Sequence, residues 1–383
     1  YHLAHVKGWM RARPGPTPWL HFPARSEIRP RPLGVSLIIS PWNYPFHLCL
    51  MPLIGALPPG CCAVAKPSEY ALATAGVVEQ VLKRALPQEQ AAVVQGGREE
   101  TEKLLEQPFD HIFFTGSQAV GKAVMAAAAQ NLTPVTLELG GKSPVILDHT
   151  ADLKTAARRI AFGKVLNAGQ TCVAPDYLLL EQGLQEKFLA HYRAALEDFF
   201  PGGNLSQMAR IVSRRHFAEK KALLAGQNAA IGGGWDEETG KISPTVLVDV
   251  DPSSPVMQEE IFAPILPVIP WRTLDEAIAF VRDRPRPLAL YLFTRDKAVE
   301  RRVLGACDFG GGCVNDTVIH LASPGLPFGG VGPSGMGQYH GKYSFDAFSH
   351  PQAIVHRGNR PHIPVRDLPY TKEKERLARW LLK

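Results

Sequence analysis

Apolar residues along the chain gather in short, nearly unbroken runs rather than in strict alternation with polar ones. Residues 33–39 form the first run, and others follow at 62–65, 91–94 and 112–114, each soon closed by Pro, Gly or Ser. Runs this short, closed by those residues, predict strands buried on both faces. Between them, residues 71–85 and 98–106 are capable of helix, and the fourth run leads into a helical stretch at 117–129. Strand and helix alternating at about 20–30 residues is the spacing of βαβ crossovers, so the expected class is α/β with a parallel sheet covered on both faces. A second alternating series begins near Val135, with a strand at 143–147, a helix at 151–166, a strand at 177–180, a helix at 184–199 and strands at 245–248 and 288–293. The boundary between the two series falls near Glu138. Pro14, Pro16 and Pro18 interrupt any helix begun over residues 1–12, and residues 13–32 and the C-terminal segment read as appendages.

Composition narrows the class. At 383 residues the chain suggests two or three domains. Hydrophobic residues at 45% against 20% charged exclude a disordered polyelectrolyte. The longest apolar stretches, 33–39 and 123–129, fall far short of the ~20 residues of a spanning helix. The net charge of +6 raises the question of a polyanionic partner. Residues 1–33 hold six lysines and arginines against one acid, residues 357–383 hold eight against three, and the body between them sums to −4. The basic ends lack the aromatic and basic interleaving of a nucleic-acid module, so no nucleic-acid partner is expected. Six cysteines at 49, 61, 62, 172, 307 and 313 include no CxxC pair, and thirteen histidines include no HExxH. No metal site is expected, and the cysteines read as reduced thiols. The chain starts at Tyr1 with no basic, then apolar, leader; the expectation is a cytoplasmic protein, with this sequence a candidate fragment.

Two places carry candidate chemistry. Residues 113–121, FFTGSQAVG, set a glycine turn between a predicted strand and a predicted helix, where backbone N–H groups and the positive helix end could hold a phosphate. The GxGxxG pattern is absent, so an ordinary strand-to-helix turn is the competing reading. The second place is Asn167-Ala168-Gly169-Gln170-Thr171-Cys172. A lone cysteine is commonly a small buried apolar residue, but this one ends a polar, glycine-containing run. Glu138, followed by two glycines that permit close approach, supplies a carboxylate. A thiolate attacks carbonyl carbon, and a nearby carboxylate can deprotonate a hydrolytic water. A structural glutamate ending a strand is the alternative.

Seven motifs occur in order: ISPWNYP (39–45), KPSE (66–69), FTGS (114–117), ELGGK (138–142), GQTC (169–172), EEIFAP (259–264) and PFGG (327–330). Together they resemble the NAD(P)-dependent aldehyde dehydrogenase superfamily. GMGQYHGKYSFD at 335–346 resembles its class 3 branch, which handles medium-chain, fatty and aromatic aldehydes. The resemblance implies two parallel-sheet α/β domains and a small oligomerisation arm. These would be a Rossmann-like cofactor domain over 1–137, a catalytic domain over 138–335 and a C-terminal bridging segment over 336–383, with 16–32 as an oligomerisation hairpin.

The resemblance also implies roles. Cys172 would attack the aldehyde to give a thiohemiacetal, a hydride would pass to the nicotinamide, and the remaining thioester would be hydrolysed. Asn43 and the Cys172 N–H would hold the oxyanion. Glu138 would be the general base, and its presence argues against the relatives that acylate CoA. Gly116, Ser117 and Gly121 would form the pyrophosphate turn, Lys66 and Glu69 would meet the adenosine ribose, and Glu260 the nicotinamide ribose with Phe262 beside it. Glu69 beside a 2′-hydroxyl favours NAD, with NADP the alternative since class 3 members often accept both. Tyr44, Val318, Tyr339 and His340 would line the aldehyde tunnel; an aromatic core cluster explains them equally well. The implied partners are a small-molecule aldehyde and a second copy in a homodimer, with no membrane span and none of the membrane-attaching tails of some relatives. Relatives carry a longer segment before the position of Leu33, so a catalytically inactive, truncated binding or structural protein of the same fold is the alternative function.

Overall fold

The computed structural model describes residues 1–360, 362 and 364–381. Leu33–Phe348 forms one unit, and Tyr1–Pro32 together with Ser349–Lys383 forms another. The larger unit holds two extended sheets. The first has six strands in the order Gly335–Met336, Val135–Glu138, His111–Thr115, Val35–Ile39, Cys62–Lys66 and Ala91–Val93. Its neighbours pair in parallel except Gly335–Met336, which lies antiparallel to Val135–Glu138. The second has seven strands in the order Asn228–Ile231, Thr245–Val248, Ile265–Trp271, Tyr177–Glu181, Pro144–Leu147, Ala289–Phe293 and Gly311–Val314. It too is parallel, apart from Asn228–Ile231 at one edge.

The α/β class expected from the apolar runs is therefore the observed one, and the reason the runs are unbroken is visible. Leu37, Ile38, Ile112, Phe113, Val145, Ile146, Leu178, Leu179, Leu290 and Leu292 are all buried, because helices cover both faces of each sheet and leave no side for polar residues. Burying a side chain of this size is worth about 1.5–3 kcal/mol, so these strands are the main source of the core. Helices with one apolar stripe fill the faces: Leu72–Ala85 buries Ala75, Val78 and Leu82, and Gln118–Ala129 buries Gly121, Val124 and Ala128.

Val135–Glu138, which the sequence pattern groups with the second series, belongs to the first sheet and pairs with His111–Thr115. Residues 1–32 likewise do not stand with the strands that follow them. In the smaller unit the hairpin of Arg13–Gly15 and Arg25–Pro32 continues into an antiparallel pairing of Arg25–Pro32 with Ser349–His356 over eight residues. Among the described residues, no helix is long and apolar enough to cross a membrane.

Candidate active site

In the six-stranded sheet the chain crosses from Val35–Ile39 to Cys62–Lys66 and Ala91–Val93 on one side, then returns to His111–Thr115 on the other. Strand order reverses between Val35–Ile39 and His111–Thr115, and the crevice beyond the carboxyl ends at such a point is where open α/β sheets bind ligands. The sequence motifs fall on that edge. Trp42 and Asn43 follow Ile39, Glu69 follows Lys66, Gly116 and Ser117 follow Thr115, and Glu138 ends its own strand. Thr115 is the register partner of Glu138, and the Gly116 N–H donates to the Glu138 carbonyl at 3.0 Å, so the phosphate-type turn and the carboxylate stand side by side.

The turn is tight for steric reasons. A Cβ at Gly116 would come within 2.5 Å of Phe114 Cζ, and one at Gly121 within 2.6 Å of Leu139 Cδ2. Ser117 caps the helix Gln118–Ala129, its hydroxyl accepting from the Val120 N–H at 3.4 Å. Lys66 is 2% exposed, and its ammonium donates to the Pro67 and Gly96 carbonyls at 3.0 and 2.7 Å. Burial lowers its pKa, with Glu69 and Glu100 opposing. Lys66 and Glu69 make no ion pair, and Glu69 is left exposed just beyond the strand end. A helix amino end without anionic side chains in its first turn and a buried lysine offer donors, and an exposed carboxylate offers an acceptor, at neighbouring strand ends, a combination that suits a dinucleotide.

Cys172 is brought to the same edge by a strained loop. The helix Leu153–Val165 ends, and Asn167, Ala168 and Gly169 then take φ of 50°, 55° and 73° in succession. Left-handed backbone is costly for Asn and Ala, and side-chain bonds hold it in place. Asn167 Nδ2 donates to the Asn43 carbonyl at 2.9 Å, and Gln170 Nε2 donates to the Asn167 and Arg210 carbonyls at 3.0 and 3.1 Å. Gly169 is required twice over, by its φ and by the Ala263 carbonyl that a Cβ would meet at 2.4 Å. Asn43 Nδ2 donates one hydrogen to the Gln170 carbonyl at 3.1 Å, which leaves its second for another acceptor, and Tyr44 Oη bonds Thr171 Oγ1 at 2.7 Å.

Electrostatics at this point are those of a buried acid–base set. Cys172 is partly exposed. Burial in the surrounding protein pushes its thiol up, the Glu260 and Glu138 charges add to that, and the N–H groups of Cys172 and Val173 oppose it. Glu138 is 2% exposed, and neither carboxyl oxygen has a hydrogen-bond partner. Burial raises its pKa well above the usual carboxylate value. Glu260 is pushed up to about 8 by burial, with Asp176 adding and Lys220, the Gly141 N–H and Lys142 opposing. A Cβ at Gly140 would lie 1.8 Å from Glu260 Oε2, so Gly140 admits that carboxylate.

Phe262, at φ 50°, meets Trp42 edge-on with centroids 5.5 Å apart. Of the tunnel candidates, Tyr44 and Tyr339 are both raised by burial with the Cys172 charge adding to it. Tyr339 is fully buried against Phe113, Phe328 and His340. Val318 is buried at φ 56°. Sequence reasoning passed over Tyr291, whose hydroxyl donates to the Val173 carbonyl at 2.6 Å and takes up the N–H of Val318. Nothing marks it within its apolar strand. Thr171, which lay inside a quoted motif, went unremarked although it holds Tyr44.

A parallel sheet edge at a switch in strand order, with a thiol and a buried carboxyl group beside it, is an arrangement that suits an NAD(P)-linked oxidoreductase. The model of the aldehyde dehydrogenase family matches residues 7–354, and the chain belongs to that family. It is 48% identical over 370 residues to the 4,4'-diaponeurosporen-aldehyde dehydrogenase of Staphylococcus aureus, covering 95% of this chain and 80% of that protein. It is also 48% identical over 381 residues to aldehyde dehydrogenase family 3 member A2 of Mus musculus, covering 99% and 78%. Among solved structures, the substrate-bound state of Staphylococcus aureus AldH superposes with a TM-score of 0.96 at 45% identity, over 99% of this chain and 84% of that one. The chain is thus an NAD(P)-dependent aldehyde dehydrogenase of the class 3 kind.

Proposed function

We propose that this enzyme oxidises medium- or long-chain aliphatic and aromatic aldehydes to carboxylic acids, with Cys172 as nucleophile, Asn43 as oxyanion donor and Glu138 as general base. The observation that carries the reading is the Glu138 carboxyl, buried with two unpartnered oxygens, in the field of the Cys172 thiol. Glu138 takes the thiol proton, and Cys172 Sγ bonds to the carbonyl carbon. The oxygen gathers negative charge between the second Asn43 Nδ2 hydrogen and the Cys172 N–H, a donor of this kind being worth about 3–4 kcal/mol in the transition state. NAD(P)+, when bound, supplies the hydride acceptor that leaves a thioester on Cys172. Glu138 passes the thiol proton to solvent and then takes a proton from water, the water oxygen bonds to the acyl carbon, the C–S bond breaks with that proton returned to the Cys172 sulfur, and the acid departs, losing its own proton to solvent as the carboxylate.

For the cofactor, Gly116, Ser117 and Gly121 at the helix amino end would hold the pyrophosphate, Lys66 and Glu69 the adenosine ribose, and Glu260 with Phe262 the nicotinamide ribose. The six-stranded sheet, largely residues 33–138, then serves the cofactor and the seven-stranded sheet carries the nucleophile. Tyr44, Val318, Tyr339 and His340 give an aromatic and apolar approach that suits an alkyl or aryl chain. Replacing Cys172 by Ala is expected to lower NADH formation from hexanal or benzaldehyde by a factor of about 10⁴ or more while NAD+ binding persists. A variant that keeps the parent rate would remove Cys172 from the chemistry.

We assign the protein to a homodimer built through the smaller unit, whose hairpin and Ser349–His356 form a separate three-stranded sheet. Sedimentation at twice the chain mass is expected, and a monomer at micromolar concentration would refute the assignment. All six cysteines are free, which suits a reducing compartment such as the cytoplasm.

A further inference from the structure

One lysine lies in the interior that the steps above do not use. Lys164, in the helix Leu153–Val165, is 0% exposed, and its ammonium has no hydrogen-bond partner. The nearest anion is Asp176 Oδ1 at 4.0 Å. A buried charge without acceptors is unfavourable, and exchange for an apolar side chain of equal size commonly leaves stability unchanged or raises it. Packing therefore gives no reason for a lysine at this position.

The surroundings give one. Lys142 Nζ donates to Asp176 Oδ2 at 2.5 Å and to the Val256 and Glu259 carbonyls at 2.9 Å each, while Asp176 Oδ1 accepts the Ile261 N–H at 3.0 Å. The backbone on both sides of Glu260 is thus tied to one buried Lys–Asp pair. Lys164 is the further cation at that same Asp176 oxygen, and its charge is also felt by Glu260, with Lys142 and Lys220 the other cations facing it. Burial lowers Lys164 and raises Glu260, and Asp176 acts on both as the anion that favours the charged lysine and opposes the charged Glu260.

We propose that Lys164 is a positioning residue for the nicotinamide half of the cofactor, fixing from its place beside Asp176 the direction of the Glu260 carboxylate. The proposal rests on the reading of Glu260 as the nicotinamide-ribose ligand. Lys164 acts through Glu260 and touches neither substrate nor cofactor.

The test is Lys164→Met, with Lys164→Gln as a second variant should the first fail to fold. Calorimetry would give the affinities for NAD+ and for 5′-AMP, which lacks the nicotinamide half. Thermal unfolding and cofactor-free hydrolysis of p-nitrophenyl acetate complete the set. The expected result is a thermal midpoint equal to or above the parent's, 5′-AMP affinity and ester hydrolysis unchanged, and NAD+ affinity weaker by about tenfold, the scale of a hydrogen bond to a charged group. Unchanged NAD+ affinity overturns the proposal. So does an equal loss for 5′-AMP and NAD+ with a lowered midpoint, the mark of a structural lysine. Glu260→Gln separates the two levels. If it binds NAD+ like the parent, the reading of Glu260 fails. If it binds weakly while Lys164→Met does not, only the role of Lys164 fails. The double variant should bind NAD+ no more weakly than Glu260→Gln alone, and additive losses would contradict action through Glu260.

Discussion

Glu138 holds its carboxyl where neither oxygen finds a donor, and burial raises its proton affinity. The folded state therefore keeps a proton that the unfolded chain releases near the ordinary glutamate value of 4.5. Stability on this account is fully present below that value and falls as the pH climbs through the raised folded value, with a slope of at most about 1.4 kcal/mol per pH unit for one group. Replacing Glu138 by Gln, which has no charge to desolvate, should remove this component. The thermal midpoint of the variant should gain on the parent's as pH rises above 4.5, and a constant difference would show that Glu138 ionises as it does in water. Cys172 and Glu138 were legible in the sequence because a thiol ending a glycine-containing polar run, and a carboxylate before two glycines, are odd choices for packing. Asn43 came from the motif alone. Tyr291 and Asp176 were not legible, since their importance lies in partners 118 and 85 residues away, the Val173 carbonyl and the Ile261 N–H, and Lys164 was not because it matters only through Asp176.

Elements buried on both faces were the easiest to read, because nothing polar interrupts them: Val35–Ile39, His111–Thr115, Tyr177–Glu181 and Ala289–Phe293 all coincide with apolar runs. Those that escaped break a local rule and are held by neighbours. Pro45–Ala56 is a helix with Pro52 inside it, and Ile265–Trp271 is a strand containing Pro267 and Pro270, yet it pairs with strands on both sides. Proline weakens both patterns, and burial of Leu53, Ala56, Ile265 and Val268 restores them. Arg25–Pro32 and Ser349–His356 are polar and mostly exposed, so no periodicity announces them. The left-handed turn at 167–169 is equally silent for Asn167 and Ala168, because it depends on the Asn43 carbonyl and the Gln170 side chain.

The net charge of +6 divides between the two units, and this changes what it means at the level of the whole molecule. The smaller unit holds fourteen lysines and arginines against four acids, while the catalytic unit is negative by four. The excess belongs to the arm, and the site carries buried carboxyls rather than a cationic surface. What unites the catalytic unit is that the carboxyl edge of one sheet supplies Asn43, Gly116, Ser117 and Glu138, while the loop ahead of Tyr177–Glu181 supplies Cys172. Bonds from Asn43 to the Gln170 carbonyl and from Tyr44 to Thr171 lock the two together. If this junction forms a thioester on Cys172 that Glu138 clears, the acyl group can be caught. The direct measurement is the intact mass of Glu138→Gln, mixed with NAD+ and hexanal and quenched in acid, followed by peptide mapping. One acyl group on the peptide that contains Cys172 is the predicted result, with NADH formed in equal amount and little turnover after it. An unmodified Cys172 peptide with NADH produced at the parent's steady rate would contradict it.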